Sequence, residues 1–126
     1  MNKINLAEKF SQFAAHWPPK IVAELNGQQV KLVKFRGEFV WHHHADEDEL
    51  FLVVRGSFRM EFRERPEGPA TRTVELREGE LIVVPRGMEH RPIAEEEVCV
   101  MLFEPAGTLN TGNAGGARTV ARPDRL

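Results

Sequence analysis

Apolar side chains recur with a helical period at the start of the chain. Leu6, Phe10, Phe13 and Ala14 fall at i, i+4, i+7 and i+8, with Asn5 before them as an N-cap. This predicts a helix over 5–15. Pro18-Pro19 stops it, because the residue before a proline is pushed out of helical geometry. Beyond the prolines the period changes to two. Phe58, Met60 and Phe62 alternate with Arg59, Glu61 and Arg63, as in a strand with one buried and one wet face. Leu50-Phe51-Leu52-Val53-Val54 is apolar at both parities and predicts a strand covered on both sides.

The same reading predicts strands over 21–25, 29–36, 38–44, 49–55, 57–63, 71–76, 81–84, 89–93 and 98–103. Turn residues separate them: Asn26-Gly27, Gly37, Gly56, Pro66 to Pro69, Glu78-Gly79 and Arg86-Gly87. Glu95-Glu96-Glu97 reads as a solvated hairpin loop. From Pro105 onward the periodicity is lost in a segment rich in Gly, Asn and Thr, read as an irregular tail over 105–126. Short strands with closely spaced turns predict an all-β sandwich or barrel, about 20–104, within a single domain, 1–126.

Composition changes this picture mainly by exclusion. Apolar residues are 41% and charged residues 29% of the 126, which is ordinary for a globular chain and unlike a disordered one. A formal charge of −2 lacks the basic footprint of a nucleic-acid binder, and no apolar run reaches the roughly 18 residues of a membrane span. The one cysteine, Cys99, sits in an apolar run and reads as a buried, inert thiol; it allows no intrachain disulfide. Glu8 and Lys9 fall where a signal peptide needs apolar residues, so a cytoplasmic location is expected.

The candidate chemistry lies in His42, His44, Glu49 and His90. Residues two apart in a strand share a face, so His42 and His44 point together, with attachment points about 6–7 Å apart. His43 then points the other way. Glu49 opens the next strand and can bring a carboxylate beside the two imidazoles. His90 follows a Pro85-Arg86-Gly87 turn. Each histidine taken alone is better explained as a satisfied core or pocket residue. Three of them with a carboxylate at this spacing point to one divalent transition metal ion (Fe, Mn, Co, Ni, Cu or Zn) with coordination positions left for a ligand. Neutral imidazole is needed for coordination, so metal should be lost as pH falls below about 6.

Phe51, Val53, Phe58, Met60 and Phe62 are the expected barrel lining, some of them walls of a small-molecule pocket. Trp41, at the parity of His43, is expected under the helix or at a subunit contact. His16 is expected at the surface. Arg86 and Arg91 flank the last histidine and read as solvated charges, or as attractors of an anionic substrate.

With these residues in place the chain resembles the cupin superfamily. Gly37, four residues, His42-His43-His44, four residues, Glu49, six residues and Gly56 match its first motif, with the Gly-to-His gap one residue short. Gly79, Pro85, Gly87 and His90 match its second, where Ala94 replaces the usual closing Asn. The helix and the Glu104-to-Gly112 segment look like small bacterial cupins of the mannose-6-phosphate-isomerase-like group. The resemblance implies a double-stranded β-helix (jelly-roll) barrel, metal ligation by His42, His44, Glu49 and His90, a small-molecule ligand and a homodimer. It leaves two functions open: a metal-dependent enzyme of oxygenase or isomerase type, its catalytic residues unassigned, or a non-catalytic binding or sensor module.

Overall fold

The computed structural model describes residues 1–126. A helix α1 (Leu6–Phe10) precedes eight strands: β1 (Lys20–Leu25), β2 (Gln28–Glu38), β3 (Glu49–Arg55), β4 (Ser57–Arg63), β5 (Arg72–Arg77), β6 (Leu81–Val84), β7 (Glu89–Pro105) and β8 (Asp124–Arg125). Strand β7 is the seam of the barrel. Its first part pairs antiparallel with β4 (Met60↔Pro92), its last part with β3 (Leu50↔Phe103), and β2 runs beside both. One half of the barrel is thus β5-β4-β7-β2; in the other, β3 joins β6 to β7, and β2 leads on to β1 and β8. The interior is closed by Val33, Phe35, Val53, Phe58, Met60, Val98 and Val100, all nearly or fully inaccessible to solvent.

Four features differ from the sequence expectation. The helix has five residues rather than eleven. Asn5 caps it as expected, accepting the Glu8 N–H at 3.0 Å, but Ser11 turns its hydroxyl onto the Glu8 carbonyl. Lys34 Nζ takes the Phe13 carbonyl, and the chain swings inward so that Trp17 enters the barrel. Phe10 alone of the helix is buried, over Leu32 and Cys99 on the outer face of the sheet.

The predicted loop Glu95–Glu97 is part of β7, not a break between two strands. Gly37 faces Ala94 and Phe35 faces Val98, so β7 takes four steps where β2 takes two. The extra residues bulge outward as exposed carboxylates while pairing resumes on either side. The strand predicted over 38–44 is absent: β2 ends at Glu38, and the chain onward meets β7 through the Phe39 N–H on the Pro92 carbonyl (3.1 Å) and a single β-bridge, His42↔His90. Its carbonyls are used elsewhere. His44 O accepts from the Gly87 N–H (2.7 Å) and His43 O from the Asn113 N–H (3.1 Å).

The segment 105–126 is irregular, as expected, but it is not loose. Thr108 and Thr111 are buried. Asn110 clamps two neighbours, donating to the Arg118 carbonyl and accepting from the Val120 N–H, both at 2.8 Å. The end of the chain forms β8, parallel to β1 (Lys20↔Asp124). Local hydrogen bonding from Asn and Thr side chains does here what hydrophobic periodicity does in a strand.

Candidate metal centre

One connection and two strand starts bring the cluster together. His42 and His44 come from the irregular connection after β2, Glu49 from the first residue of β3, and His90 from the start of β7. The bridge fixes the first and last to each other: His42 N–H donates to His90 O at 3.0 Å, and His90 N–H to His42 O at 2.8 Å. The Pro85–Met88 turn, closed by the Met88 N–H on the Pro85 carbonyl, delivers His90. Gly87 takes φ +79° there, a conformation costly for any residue with a Cβ. Asp48 caps this turn, accepting from the Arg86 backbone N–H at 2.8 Å and from its guanidinium.

All four side chains are buried, and their ligand atoms lie within 4.8 Å of one another. The ring centroids of His42 and His90 are 4.3 Å apart, those of His42 and His44 5.0 Å. The tautomers follow from the partners. His42 Nδ1 meets the Val40 carbonyl at 2.9 Å and His90 Nδ1 meets the Met88 carbonyl at 2.8 Å. A carbonyl oxygen only accepts, so each Nδ1 carries the proton and each Nε2 presents a lone pair. Glu49 Oε1 lies 2.8 Å from His44 Nε2 and 3.4 Å from His90 Nε2. None of these three atoms makes a geometrically acceptable hydrogen bond, although all are buried.

Buried polar atoms that converge without hydrogen bonds are costly unless something else satisfies them. Three imidazoles and one carboxylate are borderline-hard N/O donors, and the Val40 and Met88 carbonyls fix two of the rings with Nε2 free to ligate. The donor set therefore fits a transition metal ion.

Electrostatics agree. Burial, and next the charge of His90, push the His42 pKa down to about 3, leaving its imidazole neutral. Burial alone would raise the Glu49 pKa. The neighbouring side chains of Glu104, His44 and His90 outweigh it and hold Glu49 well below the ordinary carboxylate range. Glu104 moves the other way, raised by its own burial and by Glu49, with Lys31 offsetting only part of the effect.

A cavity of about 30 Å³, room for about a water molecule or two, opens beside His42 and Glu49. Trp17, Phe35, Phe39, Phe51 and Leu102 form its apolar walls, and Asn110 adds an amide. Of the five expected lining residues only Phe51 faces it. Val53, Phe58, Met60 and Phe62 are buried in the solid core instead. Trp17 was not legible from pattern: it sits at φ +87°, rare for a bulky residue, and stacks on Phe35 (4.9 Å) and Phe39 (4.7 Å).

His43 points away from the cluster, its Nδ1 2.8 Å from Glu89, which also accepts from Arg63. Trp41 lies neither under the helix nor among the ligands. The guanidiniums of Arg63 (4.5 Å) and Arg91 (4.9 Å) stack on its ring. Arg86 and Arg91 are both engaged by carboxylates, Asp48 and Glu61. His16 is partly exposed and pairs with Glu97 at 2.9 Å. Cys99 is buried, with Arg55 Nη2 3.8 Å from its sulfur.

Two fully buried charged residues beside the site, Lys31 and Glu104, escaped the sequence reading. Both share the inward parity of their strands, Lys31 with Val33 and Phe35, Glu104 with Leu102 and Val100, and that parity was the available signal.

The Cupin_2 family, a cupin domain, matches residues 28–104, so the chain belongs to the cupin family. The uncharacterized protein YdbB of Bacillus subtilis (strain 168) is 36% identical over 70 residues, 56% of this chain and 57% of YdbB; the match thus spans little more than half of that relative. The crystal structure of a cupin-2 domain protein from Shewanella frigidimarina is 47% identical, with a TM-score of 0.73 over 81% of this chain and 93% of that one. Hydroquinone 1,2-dioxygenase PnpCD in complex with Fe3+ has the same fold, with a TM-score of 0.75 at 16% identity over 84% of this chain and 33% of that one. No helix is long and apolar enough to cross a membrane.

Proposed function

We propose that His42, His44, Glu49 and His90 hold one divalent transition metal ion (Fe, Mn, Co, Ni, Cu or Zn), and that the chain works as a metal-dependent enzyme on a small molecule in the barrel. The carrying observation is the convergence of buried ligand atoms that lack hydrogen-bond partners. When bound, such an ion supplies Lewis acidity toward a carbonyl or carboxylate oxygen, or, as iron, one-electron chemistry toward dioxygen. The chain's own residues do the rest. Carbonyls of Val40 and Met88 hold two imidazoles in the ligating tautomer, and the aromatic walls exclude water and receive an apolar body. A shared fold with an iron-complexed dioxygenase supports oxygen chemistry, by analogy alone. Sugar-phosphate isomerisation is the other reaction to screen, from the mannose-6-phosphate-isomerase-like resemblance.

The second reading is a non-catalytic sensor or store for a metal and a small ligand. The small cavity favours it, since about 30 Å³ admits few ligand atoms without movement of the walls. In both readings residues 1–126 act as one unit in a soluble, cytoplasmic homodimer. Its contact would use the outward apolar side chains of β3 and β6, where Leu81 and Val83 are more than half exposed.

Elemental analysis of protein purified without metal-affinity resin tests the ligation: about one transition metal per chain is expected, and none in His44→Ala. Oxygen uptake and sugar-phosphate isomerisation are then measured on both proteins. Turnover lost in His44→Ala supports the enzyme; a loaded wild type with ligand affinity and no turnover supports the module.

A further inference from the structure

The barrel interior holds one ammonium and one carboxylate that ligation does not use. Lys31 and Glu104 are each 1% exposed. Lys31 Nζ donates to Glu104 Oε1 at 2.8 Å and to the Thr108 carbonyl at 3.3 Å. The second oxygen of Glu104 is buried without a donor. Register places this carboxyl beside the site. Leu50 pairs with Phe103, so the next step along the antiparallel ladder sets Glu49 against Glu104; Lys31, opposite Leu102 on β2, reaches Glu104 diagonally. Glu104 therefore stands between a buried cation and the buried carboxylate of the cluster.

That order matters physically. A buried ammonium without a counter-charge attracts any carboxylate in reach, far more strongly than in water. If Glu104 did not occupy Lys31, Glu49 would be the nearest inward carboxylate, and pairing with Lys31 would turn it away from the imidazoles. We infer that Glu104 is a positioning residue: by engaging Lys31 on one side and standing beside Glu49 on the other, it keeps the Glu49 carboxylate aimed at His44 and His90. The pair is tied to Thr108 as well, so the segment after β7 takes part in holding the site. This inference rests on the proposed metal ligation for its effect on the ion, but the aim of Glu49 is a property of the metal-free chain too.

The test compares wild type with Glu104→Leu, Glu104→Leu/Lys31→Met and Glu104→Gln, using two readouts. The first is Co(II) affinity by visible absorption; the second is the imidazole 15N resonances of His44 and His90 in the metal-free full chain. Glu104→Leu should weaken Co(II) at least about tenfold, the usual scale for groups that orient metal ligands, and shift the Nε2 resonances of both imidazoles as the Glu49 carboxylate turns away. Removing the competing cation in the double variant should restore most of both. So should Gln, which can accept from Lys31 and donate to Glu49. Glu104→Leu behaving as wild type, or the double variant and Glu104→Gln falling as far as Glu104→Leu, overturns the inference. Wild type that binds no Co(II) sinks the metal reading alone, and the resonances still decide the positioning. If Glu104→Leu does not fold, Glu104→Gln decides: lost Co(II) affinity and displaced imidazole resonances in that variant would overturn the inference.

Discussion

The barrel interior has two regions built from the same alternating strands and made for opposite purposes. In one, Val53, Phe58, Met60, Val98 and Val100 fill the space between the sheets with no polar atom to satisfy. In the other, His42, His44, Glu49, His90, Glu104 and Lys31 bury lone pairs and charges beside a small aromatic-walled cavity. The first region supplies stability through burial and packing. The second spends some of it, because buried polar groups cost free energy unless each finds a partner. Strand parity chooses what points inward; only the chemistry of the inward residue decides which kind of region results.

The largest expected effect separates the two regions by deletion. Phe58→Ala should cost about 3–5 kcal/mol of stability through the cavity it leaves, read by urea unfolding. The folded fraction should still bind one metal per chain. Loss of metal without loss of stability would mean that the regions are not separable in this way.

Acid should act on the polar region instead. The folded pKa of His42, about 3, lies below the 6.5 of an unfolded histidine. Between these values the unfolded chain takes up a proton that the folded one refuses. His42 thus makes stability fall as pH drops from 6.5 toward 3, by at most about 1.4 kcal/mol per unit, with no further effect below. Subtracting the unfolding curves of His42→Gln from those of wild type, both metal-free, isolates this slope. A flat difference would show that His42 is not buried as a neutral base.

The smallest effect concerns how the regions are joined to the tail. Gly112 sits at φ +52°, and a Cβ there would lie 2.2 Å from the His43 carbonyl oxygen and 3.2 Å from His42 Cδ2. Gly112→Ala should cost about 1–2 kcal/mol of stability, because both the left-handed backbone and the close approach oppose it. It should also weaken metal binding by shifting His42. Unchanged binding would mean that the tail does not brace the ligand connection.

Much of the candidate site is legible in the sequence. His42, His44, Glu49 and His90 were legible because the two-residue period put two imidazoles on one face and turn residues delimited the strands that carry the other groups. The shared direction of His42 and His44 is as the period implies, but its vehicle differs: the segment is a connection with a single β-bridge, not a strand. Trp17, Lys31, Glu104 and Asn110 were not legible as site residues. Each reaches the site by a long-range packing choice: a left-handed turn after the helix, a diagonal pairing across β2 and β7, a clamp within the tail. Periodicity records which face a residue is on. It does not record how far along the barrel that residue sits, or what stands opposite.

Local pattern alone determined the β class, most strand positions and the residue types able to bind a metal, because alternation, turn chemistry and ligand hardness are properties of short stretches. Only the folded chain decided that β7 is continuous through Glu95–Glu97, that Phe51 faces a cavity while Phe58 and Met60 fill the core, and that the glycine-rich tail closes on the site. Those outcomes depend on cross-strand register and on which buried polar atoms find partners, and both are settled between segments distant in sequence.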